Sequence, residues 1–208
     1  MLLNDGIAMT IAFFLDRDGT LNVEKGYIRN VQDLELIPGV AQAIRRLNEA
    51  GIMAILTTNQ TGAARGFYDL GHIHALNERL QELLKQEADA HLDAVYYCPH
   101  LEKGIVPEFA VACRCRKPEP GMIQQALARF PDIDLSRSYV LGDKASDVAF
   151  GKRAGCKSVL LKTGYGQRVL DGKYQSLPEP PDFVFEDMPQ AVSCILQQPG
   201  MLSLSETL

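Results

Sequence analysis

Asp16-Arg17-Asp18-Gly19-Thr20 directly follows an apolar run and sets two carboxylates two residues apart. Left alone, such a pair repels, and one member tends to keep a proton. A hard cation such as Mg2+ resolves the repulsion with oxygen ligands, and so does an anionic substrate that arrives with the metal. The plain alternative is an Asp-capped turn, since Asp and Gly are common turn residues. Gly142-Asp143-Lys144-Ala145-Ser146-Asp147 repeats the pattern, with an acidic helix start as its plain alternative. Thr57-Thr58-Asn59-Gln60-Thr61-Gly62 offers hydroxyls, amides and backbone N–H groups to a phosphate, and Arg116-Lys117-Pro118 adds cations. Acids for a metal, a lysine for an anion, and hydroxyl and amide donors together make a phosphoryl-transfer site.

A second constellation is built for a soft metal. Cys98-x-His100, twelve residues, then Cys113-x-Cys115 supplies three thiolates and an imidazole. Cys3His is a tetrahedral structural zinc set, closed to water. Its expected role is to stiffen the loop so that Arg116 and Lys117 stay aimed at substrate. The remaining cysteines, Cys156 and Cys194, read as small buried hydrophobes. His72, His74 and His91 read as surface residues, and Tyr96-Tyr97 as sheet core. Arg65 follows the second polar motif without an assigned role.

These groups need a scaffold. Residues 11–15 are a continuous apolar run, too short for a helix and suited to a strand buried on both faces. Pro38-Gly39 opens a helix with Val40, Ile44 and Leu47 on one face, and Gly51 ends it. Residues 52–56 predict the next strand. A helix over about 69–91 keeps Ile73, Leu76, Leu80, Leu83, Leu84 and Ala88 at helical spacing. Residues 94–97 read as a strand, and 99–120 as a long functional loop. Helices at 121–130, 146–154 and 189–197 then alternate with strands at 139–141, 158–161 and 183–185, before a loose tail. The alternation predicts an α/β fold with a mainly parallel sheet and helices on both faces. Ligands gather beyond the carboxyl ends of such strands, where Asp16, Thr58, Cys98 and Asp143 stand.

Composition agrees with one globular domain. The 208 residues are 46% hydrophobic and 23% charged; the core is expected over about 11–195, with a short N-terminal extension and a C-terminal tail. A net charge of −5 gives no general attraction to nucleic acid or anionic membrane. No apolar stretch approaches the ~20 residues that span a bilayer, and the first residues lack a signal-peptide pattern. The expectation is a cytoplasmic monomer with neither nucleic acid nor membrane as partner.

In order and spacing, DRDGTLN at 16–22, TTNQTG at 57–62, RKP at 116–118 and GDKASD at 142–147 resemble the four motifs of the haloacid-dehalogenase-like phosphatases. NVEKGY at 22–27, Tyr97-Cys-Pro-His100 and Cys113-Arg-Cys-Arg-Lys-Pro118 are similar, more finely, to the heptose 1,7-bisphosphate 7-phosphatase family. That branch also includes histidinol-phosphate phosphatases. The resemblance implies a three-layer, Rossmann-like fold and an Mg2+-dependent phosphomonoesterase working through an aspartyl-phosphate. It implies Asp16 as nucleophile, and Asp18 as the acid for the leaving sugar oxygen and later the base for water. Mg2+ is expected on Asp16, Asp143 and the backbone carbonyl of Asp18, with Asp147 in support. Thr58 and Lys117 are expected on the phosphoryl oxygens, and Arg116 on a second phosphate or sugar hydroxyls. Glu24, Lys25, Gly26, Tyr27, Asn59, Gln60, Thr61 and Lys144 are expected to line the sugar. With 15 residues between Asn22 and Pro38 and six between Gly62 and Asp69, no cap domain fits. The expected substrate is a small phosphorylated sugar, heptose 1,7-bisphosphate, cleaved at the 7-position on the way to activated heptose for lipopolysaccharide or another glycan. Histidinol-phosphate phosphatase is the alternative. A nucleic-acid 3′-phosphatase is disfavoured by charge, and a non-enzymatic zinc module leaves Asp16, Asp18, Lys117 and Asp143 unexplained.

Overall fold

The computed structural model describes residues 9–198; the expected extension and tail lie outside them. Its elements are β1 (Ala12–Leu15), α1 (Val40–Glu49), β2 (Met53–Asn59), α2 (Leu70–Ala88), β3 (Ala94–Cys98), α3 (Gly121–Arg129), β4 (Tyr139–Gly142), α4 (Ala145–Ala154), β5 (Lys157–Leu161), α5 (Gly166–Leu170), β6 (Phe183–Phe185) and α6 (Met188–Leu196). The strands form one parallel sheet in the order β3-β2-β1-β4-β5-β6.

Every residue of β1 is buried, so both faces of the sheet must be covered, and alternation splits its side chains between two layers. Phe13 and Leu15 join a core with Val40, Ile44 and Leu47 of α1, Leu76, Leu80 and Leu84 of α2, and Val192 and Ile195 of α6. Ala12 and Phe14 face Met122, Ile123 and Ala126 of α3 and Phe150 of α4. The result is three layers, helix–sheet–helix. Each large side chain so buried stabilises the fold by about 1.5–3 kcal/mol. Leu15 is in register with Leu56 and Leu141, which brings Asp16, Thr57 and Gly142 to one level. The Asp16 amide continues the ladder, donating to the Leu141 carbonyl at 3.0 Å.

The structure moves some expected boundaries. The second strand runs on through its polar end to Asn59, because β3 pairs there: Thr57 with Tyr96, Thr58 with Tyr97 and Asn59 with Cys98. Helix α2 stops at Ala88, closed by Asp89 in the left-handed region (φ 51°), whose amide donates back to Leu84 and Lys85. Tyr96 and Tyr97 are half-buried rather than core. Cys156 is buried as expected, but Cys194 is exposed: it falls on the outer face of α6, whose inner face carries Ala191, Val192 and Ile195. The five-residue α5 is too short to leave a periodic signal. No helix among the described residues is long and apolar enough to cross a membrane.

Candidate active site

The carboxyl ends of β1 and β4 lie side by side, so the two acidic motifs share one pocket. The donors of Asp16, Asp143 and Asp147 fall within 4.8 Å of one another, and all three residues are buried. Two lysines compensate them. Lys117 Nζ lies 2.9 Å from Asp16 Oδ1, 2.5 Å from Asp147 Oδ1, and donates to the Thr57 carbonyl at 2.9 Å. Lys144 Nζ lies 2.8 Å from Asp143 Oδ1, 3.5 Å from Asp16 Oδ2 and 3.2 Å from the Asp18 carbonyl. Burial pushes the Asp16 carboxyl up, but Lys117 and Lys144 outweigh it and hold the group well below the usual range. Asp143 lacks that surplus: burial, joined by Asp16 and Asp147, carries it to about 7 against the pull of Lys144.

The Lys144 ammonium stands among Asp16 Oδ2, the Asp18 carbonyl and Asp143 Oδ1. These are the three oxygens expected on Mg2+, and a hard oxygen set converging on a positive charge is the donor chemistry that ion takes. Two glycines make room for the Asp143 carboxylate. Gly19 (φ 84°) and Gly164 (φ 54°) back onto each other over Asp143, where an added Cβ would lie 2.3 Å or 2.1 Å from Asp143 Oδ2. Asp147 is placed by α4 itself: its Oδ2 accepts from the Lys144 amide at 3.0 Å, capping the helix, and leaves Oδ1 for Lys117.

Lys117 comes from the long loop and is aimed by two devices. Asn59 clamps its backbone reciprocally, Oδ1 accepting from the Lys117 amide at 3.0 Å and Nδ2 donating to its carbonyl at 3.1 Å. Two residues upstream, Cys98, His100, Cys113 and Cys115 converge. Cys115 Sγ is 3.1 Å from Cys98 Sγ and 3.3 Å from Cys113 Sγ; His100 Nδ1 is 3.3 Å from Cys115 Sγ and 3.6 Å from Cys98 Sγ. A tetrahedral ion with bonds of about 2.3 Å to sulfur sets its ligands roughly 3.7 Å apart, so a small outward movement would seat one. Arg116 is tied to the same loop through His100, whose carbonyl accepts from Nη1 at 3.2 Å.

A cleft of about 460 Å³ opens above these groups. Asp16, Asp18, Glu24, Gly26, Tyr27, Asn59, Gln60, Thr61, Arg116, Lys117, Lys144 and Asp147 all line it. Three expected residues do not. Lys25 turns away to the Asp33 carbonyl and Glu35. Thr58 is buried, its hydroxyl accepting from Gln60 Nε2 at 3.0 Å. Asp143 is fully buried beneath the cleft. Among the lining residues, Lys144 serves the carboxylates, and it also reaches Glu24 at 3.5 Å and lies over the Tyr165 ring. Burial, resisted by Lys144, raises Glu24. Tyr27 meets the Thr61 hydroxyl at 3.4 Å and packs edge-on against Phe67. The sequence reading missed Tyr68 and Ser146, and also the stacked pair Tyr165 and Tyr174, which walls the cleft from the β5–β6 connection where no motif marks it. Arg65 proves to line the cleft too. Neither Arg65 nor Arg116 is in an ion pair among the described residues.

Known proteins resemble this chain in sequence and fold. The HAD-hydrolase-like family profile matches residues 114–191. A D-glycero-D-manno-heptose-1,7-bisphosphate 7-phosphatase of Thermosynechococcus vestitus is 52% identical over 187 residues, covering 88% of this chain and 94% of that protein. The D-glycero-beta-D-manno-heptose-1,7-bisphosphate 7-phosphatase of Escherichia coli K12 is 43% identical over 155 residues, 74% of this chain and 80% of that protein. Among solved structures, the D,D-heptose 1,7-bisphosphate phosphatase of B. bronchiseptica, complexed with magnesium and phosphate, superposes with a TM-score of 0.78 at 33% identity, covering 90% of this chain and 99% of that one.

Proposed function

The chain belongs to the D-glycero-D-manno-heptose-1,7-bisphosphate 7-phosphatase family of haloacid-dehalogenase-like hydrolases, and we propose from its cleft that it removes the 7-phosphate of heptose 1,7-bisphosphate, a step toward activated heptose. The observation that carries the reading is Asp16: a nearly buried carboxylate held ionised between two lysines at the floor of an open cleft, with a second aspartate two residues on.

Asp16 attacks phosphorus, forming a carboxyl–phosphate bond as the bond to the sugar oxygen breaks. Asp18 gives that oxygen a proton. It then takes one from the water that hydrolyses the aspartyl-phosphate. Lys117 neutralises the phosphoryl oxygens, at a site dry enough for one charge to matter. Mg2+, when bound on Asp16, Asp143 and the Asp18 carbonyl with Asp147 in support, supplies further charge neutralisation at the phosphoryl group. Cys98, His100, Cys113 and Cys115 would hold Zn2+ in a structural role, since four protein ligands would leave no open position. Arg116 and Arg65 take the phosphate that is not cleaved; the two unpaired guanidiniums favour a bisphosphate over an amine. The proposed compartment is the cytoplasm and the proposed working unit a monomer.

The test compares heptose 1,7-bisphosphate with histidinol phosphate, following phosphate release and assigning the product by 31P NMR. The expected product is the 1-phosphate, formed with much the higher kcat/KM. Folded Asp16→Asn should lose turnover by several orders of magnitude. Arg116→Ala should cost about 10–100-fold in kcat/KM on the bisphosphate, as one charge-assisted hydrogen bond is worth about 1.5–3 kcal/mol, and far less on a small phosphate ester. Equal losses on both, or preference for histidinol phosphate, would overturn the assignment.

A further inference from the structure

The residue between the two catalytic aspartates is the largest fully buried side chain of the described residues, Arg17. It does not line the cleft, so it cannot bind a phosphate there. A buried guanidinium needs a partner, because an uncompensated charge away from water is costly. Its one ion-pair partner among the described residues is Asp18. Nη2 donates to Asp18 Oδ2 at 3.0 Å and to Oδ1 at 3.2 Å, and Nε to Oδ1 at 3.3 Å. The same guanidinium is pinned from two other elements: Nη2 donates to Gln60 Oε1 at 2.9 Å, and Nη1 to Asn77 Oδ1 of α2 at 3.3 Å.

The consequences converge on one carboxylate. By taking Gln60 Oε1, Arg17 orients that amide so that Nε2 faces Asp18 Oδ2 at 2.8 Å. The Arg17 carbonyl accepts from the amides of Thr20, Leu21 and Asn22, and the turn so formed returns Asn22 Nδ2 to Asp18 Oδ1 at 3.1 Å. Both oxygens of Asp18 are thus oriented by Arg17, directly or through a group that Arg17 holds. Gln60, expected on the sugar, lines the cleft and also makes these bonds.

We infer that Arg17 is a positioning residue for proton transfer, a buried fork anchored to α2 by Asn77 that fixes the Asp18 carboxyl group in the cleft, to give a proton to the leaving oxygen when protonated and to take one from water when ionised. The inference rests on the role proposed for Asp18. A lysine cannot reproduce the fork, since it offers a point charge in place of planar, paired donors.

The experiment separates aim from general damage by the leaving group. With Mg2+-loaded enzyme in excess, single-turnover release of the leaving group is followed for heptose 1,7-bisphosphate (the sugar 1-phosphate), whose sugar oxygen needs a proton, and for p-nitrophenyl phosphate (p-nitrophenolate), whose leaving group does not. Arg17→Met and Arg17→Lys should slow the sugar reaction about 10²-fold, the lower end of a general-acid contribution, with p-nitrophenolate release close to wild type. Asn77→Leu, outside the cleft, should give a smaller loss of the same selectivity, and it decides the matter if the Arg17 variants do not fold. Equal slowing of both substrates, or no slowing of either, would overturn the inference. Asp18→Asn is the control. If it lacks the selective loss, the acid role of Asp18 fails; if it shows the loss and the Arg17 and Asn77 variants do not, only the role of Arg17 fails.

Discussion

Replacing Lys117 by methionine removes one charge from the most crowded point of the molecule. The lysine side chain is 2% exposed, and its partners Asp16 and Asp147 are 5% and 1% exposed. Methionine keeps most of the volume, so the change is electrostatic. Asp147 loses its ion pair, and Asp16 keeps only Lys144 at 3.5 Å. Breaking a buried pair by removing one partner costs about 3–5 kcal/mol. For a chain of 208 residues at about 2–4 °C per kcal/mol, the loss in Tm is about 6–20 °C. The loss must also depend on pH. In the wild type Asp16 titrates below its ordinary value despite burial, so its contribution is present above the unfolded pKa and fades as pH falls through the folded one. Burial already raises Asp147 with Lys117 beside it, and without Lys117 both carboxyls shift upward, opposed by Lys144 alone. Such groups favour the fold at low pH, and that favour is lost as pH rises through their raised values. The deficit should therefore be largest near pH 8 and shrink near pH 5, by calorimetry in Mg2+-free buffer at both values. A deficit of equal size at the two pH values would refute the charge argument and leave only packing.

Mg2+ should raise Tm more at pH 8 than at pH 6, because it competes with the proton on Asp143. That group sits at about 7, lifted chiefly by burial, so its protonation favours the fold at low pH and that stability is lost as pH rises through 7; thermal shifts with and without the ion at both pH values check it, and equal gains count against it. Purified protein should carry about one zinc per chain, and Cys113→Ser should release it while lowering both Tm and kcat although no cleft atom is lost; metal analysis and calorimetry measure this, and zinc-free wild type prepared without chelator would discard the claim.

Much of the site was legible because its parts are local. An apolar run that ends in Asp fixes a carboxylate at a strand end, whatever the rest of the chain does, and strand–helix alternation then stacks such ends along one edge of a parallel sheet. Asp16, Asp18, Asp143, Lys117 and the four soft ligands of the loop followed from that logic and from the resemblance of the motifs. Their partners were not legible, because a side chain's hydrogen bonds are settled by distance in space. Asn59 reads as a polar turn residue until the loop 58 positions away brings the Lys117 backbone between its two amide atoms. Thr58 and Gln60 read as ligand donors until the buried guanidinium of Arg17 claims one end of the Gln60 amide and turns the other toward Asp18 and Thr58. Lys144 reads as a sugar contact, yet it is drawn to Asp16, 128 positions away, because three carboxylates in one dry pocket demand a second cation. Types and spacing along the chain determined which chemistry was present; only the packing of β1, β2, β4 and the loop over 99–120 decided which atom faces which, since burial makes every unpaired charge costly and so forces each into the nearest available pairing.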